Sequence, residues 1–351
     1  MRLLFISTPV GPIGSGIGGG VELIVSSLAR SFKKQTHDVE VVAPTGSTID
    51  GIAVHQFEGR LHIPMQRLKR NDAISTPMDS VLINMWKFAI EHSDRFDCIV
   101  NFAYDKLPFE QHPTCNTPIG HVISMSSLND DMDSIFEKVA TQFPNSLVMH
   151  SRAQAATFNS TIRKGTKIIE CGIDDSLYAY NSNPQKHLAF VGRISREKGV
   201  ADVFKLAEKT NYLIKIWGYM EDEAYWMEAQ NNYPKAKVVY CGFLPSTKLQ
   251  WELGQARAQL MTPKSVEAFG LVVVEALACG TPTIAYNRGA PAEIIQDGRT
   301  GFVVPADDID KMISSIHLID QIKRSDCRKH FEEKYTLEVF SKSIERWIMK
   351  L

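Results

Sequence analysis

Two glutamates eight positions apart, Glu267 and Glu275, bound the segment best suited to chemistry. Phe269-Gly270-Leu271 lies between them, and the apolar spacing that follows predicts a helix beginning near Gly270. The first amides of a helix lack internal partners and carry partial positive charge, so they can hold an anion without a metal. Carboxylates only accept hydrogen bonds, which suits sugar hydroxyls. The segment predicts a site for a phosphorylated, hydroxyl-rich ligand; the alternative is an amphipathic helix with one capping and one solvated glutamate.

Two basic residues earlier in the chain could neutralise such an anion. Arg193 follows an apolar run predicted to be a strand, and Lys198 comes five residues later. A guanidinium fork and an ammonium point charge can reach one diphosphate from two sides. Each residue alone would be interpreted as a surface cation. Together with the helix start near Gly270, they predict a diphosphate site that needs no metal.

A second phosphate-type pattern lies near the N-terminus. The apolar run 2–7 predicts a buried strand, residues 14–20 form a glycine-rich loop, and residues 21–33 have helical spacing. Glycine lets a ligand meet bare backbone, so this loop is a candidate ligand contact. Gly14, Gly16 and Gly19 also satisfy GxGxxG. The acidic residue expected about 20 positions later is missing, which argues against a dinucleotide site.

Residue types that could bind a metal have a simpler explanation. Asp131 and Asp133 form a DxD just ahead of a helical stretch, where acidic residues complement the helix dipole. The six cysteines contain no CxxC pair, which argues against a zinc site and a disulfide scaffold. The sequence predicts reduced thiols and no metal cofactor.

The elements that must position these residues alternate between strands and helices. This alternation predicts an α/β fold class with two doubly wound Rossmann-like domains facing across a cleft, and ligands beyond the carboxyl ends of the strands. The predicted domains are residues 1–175 and 176–335, and residues 336–351 form an amphipathic helix expected to pack back toward the first domain. The predicted strands are residues 2–7, 39–43, 98–102, 119–123, 147–149, 187–191, 212–217, 236–240, 258–261 and 283–286.

Composition and charge exclude several classes of protein. The chain has 351 residues, 44% hydrophobic and 23% charged, which fits a globular protein of two domains and not a disordered chain. A net charge of −1 with interspersed signs lacks the basic footprint of a nucleic-acid-binding protein. No apolar run approaches a membrane span of roughly 18 residues, and the N-terminus does not resemble a signal peptide. We expect a cytoplasmic protein without integral membrane association, and the sequence leaves its oligomeric state open.

Several motifs, in order, resemble the family-four retaining glycosyltransferases of the GT-B fold. The residues that carry the resemblance are Gly192-Arg193, Lys198-Gly199, Thr262-Pro263, Glu267 to Glu275, Glu275 to Pro282, Asp297-Gly298 and Thr300-Gly301. The likeness covers the whole chain and is strongest over residues 192–304. It implies a hexosyltransferase that retains the configuration of the sugar and uses no metal.

The resemblance also implies roles for individual residues. It assigns Arg193 and Lys198 to the diphosphate of a nucleotide-sugar donor and, together with Glu267, to catalysis. Glu267 would hold the transferred hexose and Glu275 the ribose. The remaining donor contacts implied are the backbones of Gly19, Gly20, Phe269, Gly270 and Leu271.

The acceptor is indicated by the first domain. Family members commonly carry a histidine facing the reacting sugar where this chain has Ser124, and His121 is interpreted as a packed core histidine. Segments 7–12, 18–23, 101–105, 123–125 and 153–158 resemble members that transfer glucose from UDP-glucose to tetrahydrobiopterin. A reduced pterin has a donor-rich edge and a flat face, which suit carboxylates and aromatic rings. The acceptor contacts predicted are Glu22, Tyr104, Asp105, Ser124 and Met125.

Three other functions are compatible with the sequence. The same fold could transfer a hexose from a UDP- or GDP-sugar to a sugar or a lipid headgroup. The chain could bind a nucleotide sugar without turnover, or it could be a dehydrogenase. The partners expected under the main interpretation are small molecules only, a nucleotide sugar and a pterin.

Overall fold

The structure, a computed structural model, describes residues 1–15 and 19–351. The chain forms two compact units, the first of Met1–Cys171 with Leu337–Leu351 and the second of Gly172–Thr336. The change from one unit to the other therefore lies four residues before the expected domain boundary. The C-terminal helix belongs to the first unit.

The first unit is built on a parallel sheet with strand order β3-β2-β1-β4-β5-β6-β7. Its strands are β1 Arg2–Ile6, β2 Asp38–Pro44, β3 Ala53–Phe57, β4 Cys98–Asn101, β5 Ile119–Ile123, β6 Leu147–Met149 and β7 Thr166–Ile168. Its helices are α1 Gly20–Lys34, α2 Val81–Glu91, α3 Lys106–Gln111, α4 Asp130–Gln142, α5 Arg152–Ala155, α6 Ser160–Lys164 and, at the end of the chain, α14 Leu337–Ile348.

The sequence explains why the sheet is buried between helices. All residues of β4 and β5 are buried, as expected for strands covered on both faces. Helix α1 buries Ile24, Val25, Leu28 and Phe32, which repeat at helical spacing along one stripe.

Helix α14 packs within the first unit. The indole Nε1 of Trp347 donates to the carbonyl of Asn145 (2.6 Å), and Ser341 Oγ accepts from Gln35 Nε2 (3.0 Å). A Cβ on Gly120 would lie 2.4 Å from the Trp347 ring, so glycine in β5 makes room for the indole.

The second unit has a parallel sheet of order β10-β9-β8-β11-β12-β13. Its strands are β8 Leu188–Val191, β9 Ile214–Trp217, β10 Val238–Tyr240, β11 Ala258–Met261, β12 Thr283–Tyr286 and β13 Gly301–Val304. Its helices are α7 Val200–Thr210, α8 Glu223–Asn232, α9 Ser246–Gln255, α10 Leu271–Ala278, α11 Pro291–Ile294, α12 Ile309–Leu318 and α13 Arg324–Lys334.

The α/β fold class, with two doubly wound Rossmann-like sheets, is confirmed. Strands β5, β6, β11 and β12 have the predicted bounds, because they are short apolar runs between polar loops. Strands β3, β7 and β13 have no counterpart in the sequence prediction. They lie at sheet edges, and the exposed or half-exposed residues in each weaken the apolar signal.

None of the helices in residues 1–15 and 19–351 combines the length and the apolar character that a membrane-spanning segment requires.

Candidate functional site

The sheet of the second unit brings two loops to one place. Its strand order reverses direction between β8 and β11, which are hydrogen-bonded neighbours. The loop after β8 carries Arg193 and Lys198, and the loop after β11 carries Glu267. Ligands of open α/β sheets bind beyond the carboxyl ends of the strands at such a switch point.

Lys198 is held by a turn locked onto the neighbouring loop. A 3₁₀ turn, Arg196–Lys198, ends at Gly199, whose left-handed backbone (φ 72°) starts α7. Thr262 Oγ1 donates to the carbonyl of Gly199 (3.0 Å), and the amide of Lys264 donates to the carbonyl of Glu197 (2.7 Å). The turn and the loop after β11 therefore form one rigid assembly.

Replacing Gly199 by alanine should damage both stability and activity. A Cβ there would lie 1.9 Å from the carbonyl oxygen of Thr262, in addition to the cost of a left-handed backbone. Gly298→Ala is the matched control, because Gly298 has φ 73° and open space around its Cβ position. We expect Gly199→Ala to lower the free energy of unfolding by about 2 kcal/mol more than Gly298→Ala. Equal losses in urea titrations of the two variants would contradict the clash.

Glu267 forms an ion pair with Lys198, one of the two cations predicted to bind the diphosphate. Lys198 Nζ lies 2.7 Å from Glu267 Oε2, and both side chains are mostly buried. The backbone of Glu267 bridges to Gly289, with the amide of Ala290 donating to the Glu267 carbonyl (2.9 Å). A Cβ on Gly289 would lie 2.3 Å from that carbonyl oxygen, so the approach requires glycine. The ion pair and this backbone bridge together hold the Glu267 carboxylate beside Lys198.

The loop that carries Glu267 is braced from a second side. Arg288 Nη1 donates to the carbonyl of Pro263 (2.8 Å), and Arg288 Nη2 pairs with Asp307 (2.7 Å). Lys264 Nζ also pairs with Asp307 (2.7 Å). The hydrogen bond from Arg288 is the main cause that lowers the pKa of Asp307 to about 2, and the hydrogen bond from Lys264 is the next largest.

The start of α10 offers backbone amides to a ligand. Gly270 is its N-cap in a left-handed conformation (φ 89°), and no described side chain caps it. Phe269 is buried against Tyr335, with ring centroids 6.3 Å apart. The first hydrogen bond at this end of the helix runs from the Val273 amide to the Gly270 carbonyl. The amides of Leu271 and Val272 come before it. The helix terminus therefore has anion-binding character.

Glu275 lies inside α10 as a buried carboxyl group. It is 6% exposed, and the hydroxyl of Tyr178 donates to its Oε1 (2.7 Å). Burial raises the pKa of Glu275 to about 7, and the tyrosine bond opposes this only in part. Tyr178 lies 97 residues earlier in the chain, and no signal in the sequence pairs the two.

Arg193 is held between two carboxylates. Its Nη2 lies 2.8 Å from Glu197 Oε1, and its Nη1 bonds Glu221. Glu221 follows β9, the strand beside β8, and was not among the predicted site residues. Its position after a strand of the same sheet is the signal that could have identified it.

The predicted glycine contacts lie in the first unit. Gly19 caps α1 and Gly20 begins it, both exposed; Gly16 and Gly18 fall outside the described residues. Glu22, in the first turn of α1, accepts from the amide of Gly14 (2.9 Å) and from Ser15 Oγ (3.1 Å). Its carboxylate therefore already holds the beginning of the glycine loop.

Asp105 and Tyr104 follow β4. Asp105 caps α3 by accepting from the Lys106 amide (2.7 Å), and His62 Nδ1 lies 2.6 Å from its other oxygen. His62 Nε2 in turn bonds Ser80 at the start of α2. Tyr104 is 9% exposed and belongs to a core cluster with Phe136. Both predicted contacts thus already have protein partners.

Ser124 and Met125 follow β5 and are half-buried. Ser124 Oγ lies 3.4 Å from Nε2 of His150, whose pKa burial lowers to about 4, so that the imidazole is neutral at pH 7. His121 is fully buried and stacked on Phe109 with ring centroids 4.1 Å apart, in agreement with a packed core histidine.

The DxD aspartates act at the start of α4. Asp131 Oδ2 accepts from the amide of Ile74 (3.0 Å), and Asp133 Oδ2 pairs with Arg70 (3.0 Å). Within residues 1–15 and 19–351, these aspartates included, no three His, Cys, Asp or Glu side chains are grouped so that they could hold a metal ion.

The family comparison matches the second unit. Residues 179–334 match the family described as glycosyl transferases group 1. This segment contains Arg193, Lys198, Glu267 and Glu275, and it excludes the predicted acceptor contacts.

Two relatives share part of the sequence. An uncharacterized 41.2 kDa protein in the cps region of Klebsiella pneumoniae is 31% identical over 157 residues, which cover 42% of each protein. Sucrose synthase of Solanum tuberosum is 31% identical over 181 residues, which cover 47% of this chain and 21% of the synthase. The matches therefore span less than half the length of either relative.

A solved structure extends the similarity to both units. HepE of Anabaena, in complex with UDP and glucose, has a TM-score of 0.79 at 16% identity, covering 100% of both chains. At this identity the similarity shows the fold, which is that of GT-B glycosyltransferases. Residues 179–334, which match the glycosyl transferases group 1 family, make up most of the second unit of that fold.

Proposed function

We propose that this chain is a retaining hexosyltransferase that moves glucose from UDP-glucose to a hydroxyl of tetrahydrobiopterin without a metal ion. One observation carries the donor half of the proposal: Lys198 pairs with Glu267 beside the start of α10, which no described side chain caps, and Arg193 lies in the same loop as Lys198. Two cations and a helix terminus match a diphosphate, and a neighbouring carboxylate matches sugar hydroxyls. The similarity to sucrose synthase and to HepE, solved with UDP and glucose, supports UDP-glucose as the donor.

In this proposal the protein stabilises the leaving group electrostatically. The acceptor oxygen forms its bond to the anomeric carbon as the bond from that carbon to the β-phosphate oxygen breaks. The acceptor proton passes to an oxygen of the departing phosphate on the same face, so the configuration is retained. Arg193 and Lys198 stabilise the charge that develops on UDP, the role that a metal ion plays at other sites.

The acceptor half rests on the resemblance of the first unit to enzymes that glucosylate tetrahydrobiopterin. Ser124 and Met125 are half-buried at the carboxyl end of β5, where a flat pterin could contact them. Glu22, Asp105 and Tyr104 would have to exchange existing hydrogen bonds to bind the pterin edge and face. A sugar or lipid acceptor is the alternative for the same donor chemistry.

A matrix of donors and acceptors tests the proposal. UDP-glucose, UDP-galactose and GDP-mannose are each incubated with tetrahydrobiopterin, mannose or a lipid acceptor in the presence of EDTA. The products are identified by mass spectrometry. We expect hexosylated pterin with an α linkage from UDP-glucose. If only mannose or the lipid gave a product, that compound would replace tetrahydrobiopterin as the proposed acceptor. Loss of activity in EDTA would contradict the proposed independence from metal ions. Nucleotide binding with no product would favour a binding protein without turnover.

A further inference from the structure

Glu221 is bonded to Arg193, the arginine that is proposed to bind the diphosphate. Its carboxylate accepts a hydrogen bond from Nη1 of Arg193, and Glu197 Oε1 forms an ion pair with Nη2 at 2.8 Å without a hydrogen bond. A diphosphate also binds a guanidinium through two parallel hydrogen bonds. The ligand therefore competes with Glu221 for the Nη1–H group of Arg193, and with both carboxylates for the charge of the guanidinium.

The backbone fixes Glu221 opposite Arg193. The amide of Ile194 donates to the carbonyl of Tyr219 (2.9 Å), and the amide of Asp222 donates to the carbonyl of Ile194 (2.9 Å). A Cβ on Gly218 would lie 1.8 Å from the carbonyl oxygen of Gly192, so the two segments run in backbone contact.

Burial distinguishes Glu221 from Glu197. The side chain of Glu221 is 13% exposed, whereas that of Glu197 is 31% exposed and lies four residues after Arg193 in the same loop. Glu221 is confined near the anion, and its repulsion of a bound diphosphate is weakly screened.

We propose that Glu221 is the exchange partner of the diphosphate on Arg193, and that it limits the affinity for nucleoside diphosphate and promotes its release. This inference rests on the proposed donor site. Before binding, Glu221 satisfies the guanidinium; on binding, the diphosphate displaces the carboxylate. After transfer, the return of Glu221 to Arg193 favours the departure of the product.

The test compares Glu221→Gln with two variants. Glu221→Asp keeps the charge, and Glu228→Gln is the matched control, because Glu228 pairs with Arg196 at 2.7 Å on the exposed surface. Calorimetric titrations use UDP and, as a separate probe, inorganic pyrophosphate. We expect Glu221→Gln to bind both anions about tenfold more tightly than the wild-type chain, with unchanged affinity in Glu228→Gln and intermediate affinity in Glu221→Asp.

The outcomes separate this inference from the proposed function. Unchanged or weaker pyrophosphate binding in Glu221→Gln would overturn the inference. Loss of a merely structural contact would not raise the affinity for an anion. Tighter pyrophosphate binding without UDP binding by any form would support Glu221 as the exchange partner and refute a UDP-sugar donor. In turnover assays the variant should show a lower inhibition constant for UDP.

Discussion

Replacing Lys198 by alanine should lower the turnover of UDP-glucose roughly 100- to 1000-fold. The ammonium group lies 2.7 Å from Glu267, beside the start of α10, where the proposed mechanism develops charge on the departing diphosphate. Removal of one preorganised donor to such a charge typically has an effect of about this size. The loss should appear in kcat, because the cation stabilises the transition state more than the bound substrate. Steady-state kinetics over a range of donor concentrations measure it.

Lys209→Ala is the matched control for Lys198→Ala. Lys209 also forms an ion pair of 2.7 Å, with Asp310, but on the exposed surface of α7. Its removal should leave kcat unchanged, and both variants should unfold at similar urea concentrations. A Lys198→Ala variant with wild-type kcat would refute the assignment of the diphosphate to this residue.

Replacing Glu275 by glutamine should change the pH dependence of stability. The pKa of a glutamate in the unfolded chain is near 4.5, and burial raises that of Glu275 to about 7 in the folded chain. Between these values the folded chain binds more protons than the unfolded chain, so this residue makes the free energy of unfolding fall as pH rises from about 4.5 to about 7. A shift of this size corresponds to about 3 kcal/mol. Glutamine cannot ionise, so the variant should lack this decline.

Urea unfolding at pH 5, 6, 7 and 8 measures the effect. The difference between Glu275→Gln and wild type should grow in favour of the variant by about 2.5 kcal/mol from pH 5 to pH 8, while contributions common to both chains cancel. Tyr178→Phe should shift the decline to higher pH, because the tyrosine bond lowers the pKa of Glu275. A pH-independent difference would contradict the raised pKa.

The same substitution should weaken nucleotide binding. A carboxylate accepts two ribose hydroxyls, whereas an amide offers one accepting oxygen, and hydrogen bonds to charged groups are worth about 1.5–3 kcal/mol. We expect a 10- to 100-fold rise in the dissociation constant of UDP at pH 8. Relative to wild type, the variant would therefore gain stability as pH rises and yet bind UDP more weakly, a combination that a general folding defect cannot produce.

The sequence by itself determined the fold class, and it indicated the residues that are proposed to bind the donor. Strands such as β5 and β11 are apolar runs between polar loops, and local composition is enough to locate them. Helix α10 could be placed near Gly270, because the apolar spacing that follows this glycine is a local feature of the sequence. The short spacing between Arg193 and Lys198 and the motif from Glu267 to Glu275 made these residues recognisable as a group.

Only the tertiary structure decided which groups already have partners. The bonds from Tyr178 to Glu275, from Glu221 to Arg193 and from His62 to Asp105 join residues 97, 28 and 43 positions apart. Periodicity reports which face of an element is buried, but it carries no information about which loop ends meet at the edge of a sheet. Strand order fixes that meeting: β8 lies beside β11 although about 70 residues separate them, because long-range packing selects the pairing. The raised pKa of Glu275 follows from the same packing, since burial depends on the whole second unit.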